Sequence, residues 1–95
     1  MADVYILYSR SIDSFYIGSC KNLVVRLDEH FTKKHQSSFT AKADDWSLYF
    51  KISNLGYAQS RNIEAHIKRM KSRTYNENLV KYPEIVEKLK QRYSK

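Results

Sequence analysis

Ninety-five residues, 42% hydrophobic and 14% aromatic, with two glycines and one proline, leave room for one small ordered domain and none for a second or for a disordered tail. Seventeen basic side chains against ten acidic ones give a net charge of +7, which fits a polyanionic partner or a soluble surface that is merely basic. The single cysteine excludes an internal disulfide, and with only three dispersed histidines it also excludes the common zinc sites.

The N-terminal stretch MADVYILYSR has no basic segment ahead of its short apolar run, so no signal peptide is expected. No stretch approaches the roughly 18 apolar residues of a membrane span. The expectation is a soluble cytoplasmic protein with no membrane contact.

Residues 4–8, VYILY, are apolar and β-prone; SRSIDS interrupts them with turn formers, and 15–19, FYIGS, resume the run. This predicts a hairpin with Phe15 and Ile17 on one face of its second strand and Tyr16 and Gly18 on the other. After Gly18 the period becomes helical, with Leu23, Val24, Leu27 and Phe31 apolar and Ser19 or Asn22 placed to cap the start. Asn22, Arg26, His30 and Lys33 fall along one polar, mostly basic flank. Residues 33–45 read as a polar loop. WSLYFKI at 46–52 alternates, predicting a half-buried third strand with Trp46, Leu48, Phe50 and Ile52 on one face and Ser47, Tyr49 and Lys51 on the other.

SNLG at 53–56 turns the chain into a second helix over about 57–73, with Ile63, Ile67 and Met70 inward and Glu64 at the edge of that face. A shorter helix is expected over 75–81, and Pro83 suits the first turn of a terminal helix over 83–93 with Ile85, Val86 and Leu89 inward. The order is β-β-α-β-α-α-α. Because the first two strands join directly, the expected fold is α/β of the α+β type, a small three-stranded, mainly antiparallel sheet flanked by helices.

Several side chains have both a structural and a chemical account. Tyr5 and Tyr16 stack as a cross-strand pair in one account and present two phenols to a site in the other. Gly18 ends its strand or admits a close approach of backbone or ligand. Arg26 and His30 form a solvated flank, or a phosphate fork beside a group that titrates near neutrality. Glu64 is the one acid among five basic side chains between residues 59 and 73. It makes an i, i+4 pair with Lys68, or holds Mg²⁺ through one direct ligand plus waters.

Taken together, these residues resemble the GIY-YIG nuclease superfamily, specifically its small stand-alone members related to the N-terminal domain of the bacterial excision-repair nuclease subunit UvrC. DVYIL at 3–7 resembles the first motif, with Tyr5 as its tyrosine, and YIG at 16–18 is the second motif intact. Arg26 falls ten residues after Tyr16, where the family has its arginine, and RLDEH supplies His30. FTAKADDWSLYF at 39–50 resembles the stretch leading into the third strand, and IEAHIKRMKSR resembles the glutamate helix. The resemblance runs over residues 4–81. Two departures are visible: Asp3 stands where a glycine opens the first motif, and no second domain supplies target recognition. The family often has an asparagine downstream of its glutamate; Asn76 lies twelve residues after Glu64 with Asn78 close by, at a position that is often apolar in the small members.

The resemblance implies a phosphodiesterase site that cuts DNA with one divalent cation, Mg²⁺ or Mn²⁺, and no small-molecule cofactor. Glu64 is the implied metal ligand and Arg26 the implied phosphate clamp, with Tyr5, Tyr16 and His30 positioning or deprotonating the attacking water. A phenol is a poor base at neutral pH unless shifted, Arg26 and a cation both favour phenolate, and His30 is a rival base. Gly18, Lys21, Lys33, Lys34, Lys68, Lys71, Arg73 and Asn76 complete the candidate DNA contacts. The leading expectation is a metal-dependent DNA endonuclease with little intrinsic sequence specificity, serving repair or recombination. The alternatives are a non-catalytic nucleic-acid-binding module and a protein-interaction adaptor that keeps the fold.

Overall fold

The structure, a computed structural model, describes residues 1–31 and 42–94, and of Glu29, His30 and Phe31 the backbone alone. The side chain of His30, together with Lys33 and Lys34, therefore lies outside the described residues. Seven elements follow in the expected order: β1 (Ala2–Ser9), β2 (Ser14–Cys20), α1 (Leu23–Phe31), β3 (Trp46–Leu55), α2 (Tyr57–Met70), α3 (Arg73–Lys81) and α4 (Pro83–Arg92). No helix among the described residues is long and apolar enough to cross a membrane.

The strands form one antiparallel sheet in the order β2-β1-β3. Central β1 is buried on both faces, because helices cover both: Val4, Tyr5, Ile6 and Leu7 are each no more than 1% exposed. Val4 and Ile6 join Ile52, Leu55, Ile63, Ile67, Leu79 and Leu89 in a core beneath α2, α3 and α4. Tyr5 and Leu7 point the other way, into a smaller core with Cys20 and Leu23, flanked by Tyr16, Leu27 and Trp46. Burying Ile63 or Ile67 contributes about 1.5–3 kcal/mol each relative to leaving it in water.

β1 and β2 close at the Ser9–Ser14 pair, so the turn is shorter than the six residues expected, with Asp13 in the left-handed region at φ 49°. The alternation expected of β3 fails at one residue. Ile6 pairs with Phe50 but Leu7 with Leu48, which leaves Tyr49 as an extra residue in a bulge. The bulge reverses the facing. Phe50 and Ile52 enter the larger core as expected, whereas Trp46 packs on the Tyr5 side and Leu48 is 40% exposed. Tyr49 instead packs against Phe15, ring centroids 5.0 Å apart. A second irregularity, with Asn54 at φ 63°, carries the strand through residues expected to turn.

One further inward expectation fails. Met70 is 45% exposed at the last turn of α2, and Val24 is 79% exposed at the margin of the α1 face that Leu23 and Leu27 centre. α2 also stops earlier than expected. Lys71 takes a left-handed conformation at φ 46°, and Ser72 caps α3 by accepting a hydrogen bond from the Tyr75 N–H at 3.1 Å. α4 is held to α2 by a hydrogen bond that Gln59 Nε2 donates to the Lys90 carbonyl, 2.9 Å. The start of β3 is tied to the hairpin by Asp45, which accepts from Ser9 Oγ at 2.5 Å and from both the backbone N–H and the hydroxyl of Ser11 at 2.8 Å.

Candidate active site

The site begins at the cross-strand pair Tyr5–Gly18. A Cβ on Gly18 would lie 2.5 Å from the Tyr5 hydroxyl oxygen and 2.6 Å from its Cζ. The glycine is required because the Tyr5 ring lies flat across that backbone. The space expected for substrate is taken by the phenol. Tyr16, diagonal to it, has its ring centroid 6.3 Å away at 40°, and Trp46 stands edge-on to Tyr16 at 6.5 Å.

α1 brings Arg26 to this pair. Asn22 caps the helix, its Oδ1 accepting from the Val25 N–H at 3.2 Å, and Leu23 and Leu27 seat it on the smaller core. That seating turns the Arg26 flank towards Tyr5, and the guanidinium donates to the Tyr5 hydroxyl. Burial pushes the Tyr5 phenol well above its ordinary value, and neighbouring Tyr16 adds to this, whereas the charge and hydrogen bond of Arg26 pull it down. Arg26 thus favours the phenolate as expected, but burial outweighs it, and Tyr5 is a neutral phenol at physiological pH.

A cleft of about 510 Å³ opens at the C-terminal end of β2, between the first turns of α1 and α2. Arg26, Lys21 and Asn22 line one side and Tyr57, Ser60 and Arg61 the other, with Ser19 between them. Lys21 Nζ lies 5.1 Å from the centre of the Tyr57 ring, a cation–π contact that leaves the charge at the cleft rim.

Ser19 also leads to Glu64. The glutamate approaches from α2, on the opposite face of the sheet from Tyr5, and accepts a hydrogen bond from Ser19 Oγ at 2.5 Å on Oε1. Its Oε2 pairs with Lys68 Nζ at 2.7 Å, and the side chain is 19% exposed. Among the described residues no three His, Cys, Asp or Glu side chains converge, so a cation here would have Glu64 as its protein carboxylate. A solvent-reachable hard oxygen donor with few protein partners fits Mg²⁺ or Mn²⁺, which keep several waters and take phosphate oxygens.

The remaining candidates separate. Lys68, Lys71, Arg73 and Asn76 line a second groove, about 250 Å³, between β2, α2 and α3. Arg73 is committed there: its Nη1 donates to Asp13 Oδ2 at 2.8 Å, its Nη2 pairs with Oδ1, and its guanidinium lies 5.6 Å from the Phe15 ring. Asn76 is buried at 6% exposure. Two residues of the site were missing from the sequence-derived candidates. Ser19 was read only as a helix cap, and Arg61 only as a charge near Glu64; the alternation that puts Ser19 on the Ile17 face was the available signal for the former.

Neither a curated protein nor a solved structure matches the chain. The family model for the GIY-YIG catalytic domain matches residues 1–76, a span that holds the tyrosine pair, Arg26, Ser19 and Glu64. The chain is a small nuclease-domain protein and belongs to the GIY-YIG family.

Proposed function

We propose that the protein is a divalent-cation-dependent DNA endonuclease with little sequence preference, acting in repair or recombination. The observation that carries this reading is the Arg26–Tyr5 contact opening onto a basic cleft whose shared residue, Ser19, holds Glu64. Arg26 clamps two oxygens of the scissile phosphate, and Tyr5, a neutral phenol, holds that fork in place. Glu64 holds the cation, which when bound supplies positive charge at the leaving oxygen. Tyr16 or His30 takes the proton from the attacking water. Lys21 and Arg61 at the rim add phosphate contacts that position the strand without reading its bases, so affinity falls with added salt.

A plasmid-nicking assay tests it. Wild-type protein is expected to nick supercoiled DNA in Mg²⁺ or Mn²⁺ and to stop in EDTA. Glu64→Gln is expected to abolish nicking with an unchanged circular dichroism spectrum. Full activity in that variant overturns the assignment of Glu64. One observation favours a second reading, a module that binds nucleic acid without cutting: Lys68 neutralises the Glu64 carboxylate. Salt-sensitive DNA binding with no nicking in either cation is its signature.

A further inference from the structure

Lys68 belongs to two places at once. Its ammonium lies 2.7 Å from Glu64 Oε2, and the same side chain lines the second groove with Lys71, Arg73 and Asn76. Ser19 holds the other carboxylate oxygen, so a divalent cation competes with a hydroxyl and an ammonium for the same carboxylate. The serine is neutral and can turn its hydroxyl to accept or donate. The ammonium is the partner that a cation opposes, because two cations on one carboxylate repel. In the groove the carboxylate is Asp13, and Arg73 already engages both of its oxygens. Lys71 thus faces a concavity about 250 Å³ in volume whose carboxylate is already engaged, and Lys68, on leaving Glu64, would add its charge there. Lys68 is 52% exposed on a flexible four-carbon stem, so it can swing between the two sites without disturbing the core.

From this geometry we propose that Lys68 gates Glu64. In the free protein it neutralises the carboxylate. A phosphate of a nucleic-acid strand entering the groove draws it away, so cation and strand bind cooperatively. The proposal rests on the reading of Glu64 as the cation ligand. The coupling is reciprocal, since whatever the strand adds to cation affinity the cation adds to strand affinity. A part-exposed ion pair sets its scale at about two- to fivefold in affinity.

Calorimetric titration with Ca²⁺, a hard cation that takes the same oxygen ligands, tests the gate without requiring turnover. The wild-type 95-residue chain, Lys68→Met and Glu64→Gln are each titrated alone and with a short phosphorothioate DNA duplex. Lys68→Met alone is expected to bind Ca²⁺ about two- to fivefold more tightly than wild type. The duplex is expected to tighten the wild type by about two- to fivefold more than it tightens Lys68→Met, because only the wild type has an ammonium to release. If Lys68→Met binds no more tightly than wild type, or if the duplex tightens both equally, the gate is overturned. If Glu64→Gln binds Ca²⁺ as well as wild type does, the ligand assignment itself fails, and the two failures are thereby told apart.

Discussion

Tyr5 and Glu64 stand on opposite faces of one sheet and are held in opposite ways. Tyr5 is fully buried, pressed onto the bare backbone of Gly18 and fixed by Arg26. Glu64 is partly exposed and held by one hydroxyl and one ammonium. The first arrangement is rigid because close-packed atoms leave a ring one position. The second is exchangeable because polar contacts at a surface trade with water and ions at little cost. On the proposed reading the first serves as a fixed fork for the phosphate and the second as a carboxylate able to change partners.

The comparison can be broken from either side. The largest effect is expected at Arg26, where Arg26→Ala should lower cleavage by about 10²–10³-fold and cost only about 1 kcal/mol of stability through the lost Tyr5 hydrogen bond. A loss of stability as large as the loss of activity would mean that the arginine is chiefly structural. Gly18→Ala should act the other way round. Its methyl group meets the Tyr5 ring, and overpacking of this kind costs about 1–3 kcal/mol, readable as a shifted urea midpoint at constant slope. An unshifted midpoint would show that the ring has room to move. Ser19→Ala should be milder, about 1 kcal/mol, and should leave the tyrosine face intact as judged by near-ultraviolet dichroism.

The smallest effect is expected from acid. Arg73 hydrogen bonds, then Tyr8, hold the Asp13 carboxyl down to about 2, and Ser9, then Ser11, do the same for Asp45, against an ordinary value of 3.8. Both folded values are depressed, so their stabilisation is complete above pH 3.8 and is lost as the pH falls towards 2. Melting temperatures between pH 5 and pH 2 should drop, and Asp45→Asn should flatten that slope. Identical slopes in the two proteins would remove Asp45 from the account.

Much of this could be read in advance because it is written in short-range periods. Alternation assigned Tyr16 and Gly18 to one face of β2, and the helical spacing of Leu23 and Leu27 set the Arg26 flank. The same methods failed where a partner decides. Nothing within WSLYFKI announces a bulge at Tyr49; it exists because β1 pairs with both halves of β3 in registers one residue apart. Ser19 and Glu64 are 45 residues apart in sequence, and no local pattern links them. Met70 was placed inward by its helical spacing, yet it lies at the margin of a helix stripe whose centre Ile63 and Ile67 already fill.

The sequence by itself determined the element order, the antiparallel hairpin and the tyrosine, arginine and glutamate motifs, because strand and helix periods and family spacing are local properties of the chain. Only the tertiary structure decided that Gly18 serves the Tyr5 ring, that Tyr5 stays neutral, and that Glu64 is shared between Ser19 and Lys68. Those outcomes depend on which atoms exclude water from which, and that is settled when distant segments pack.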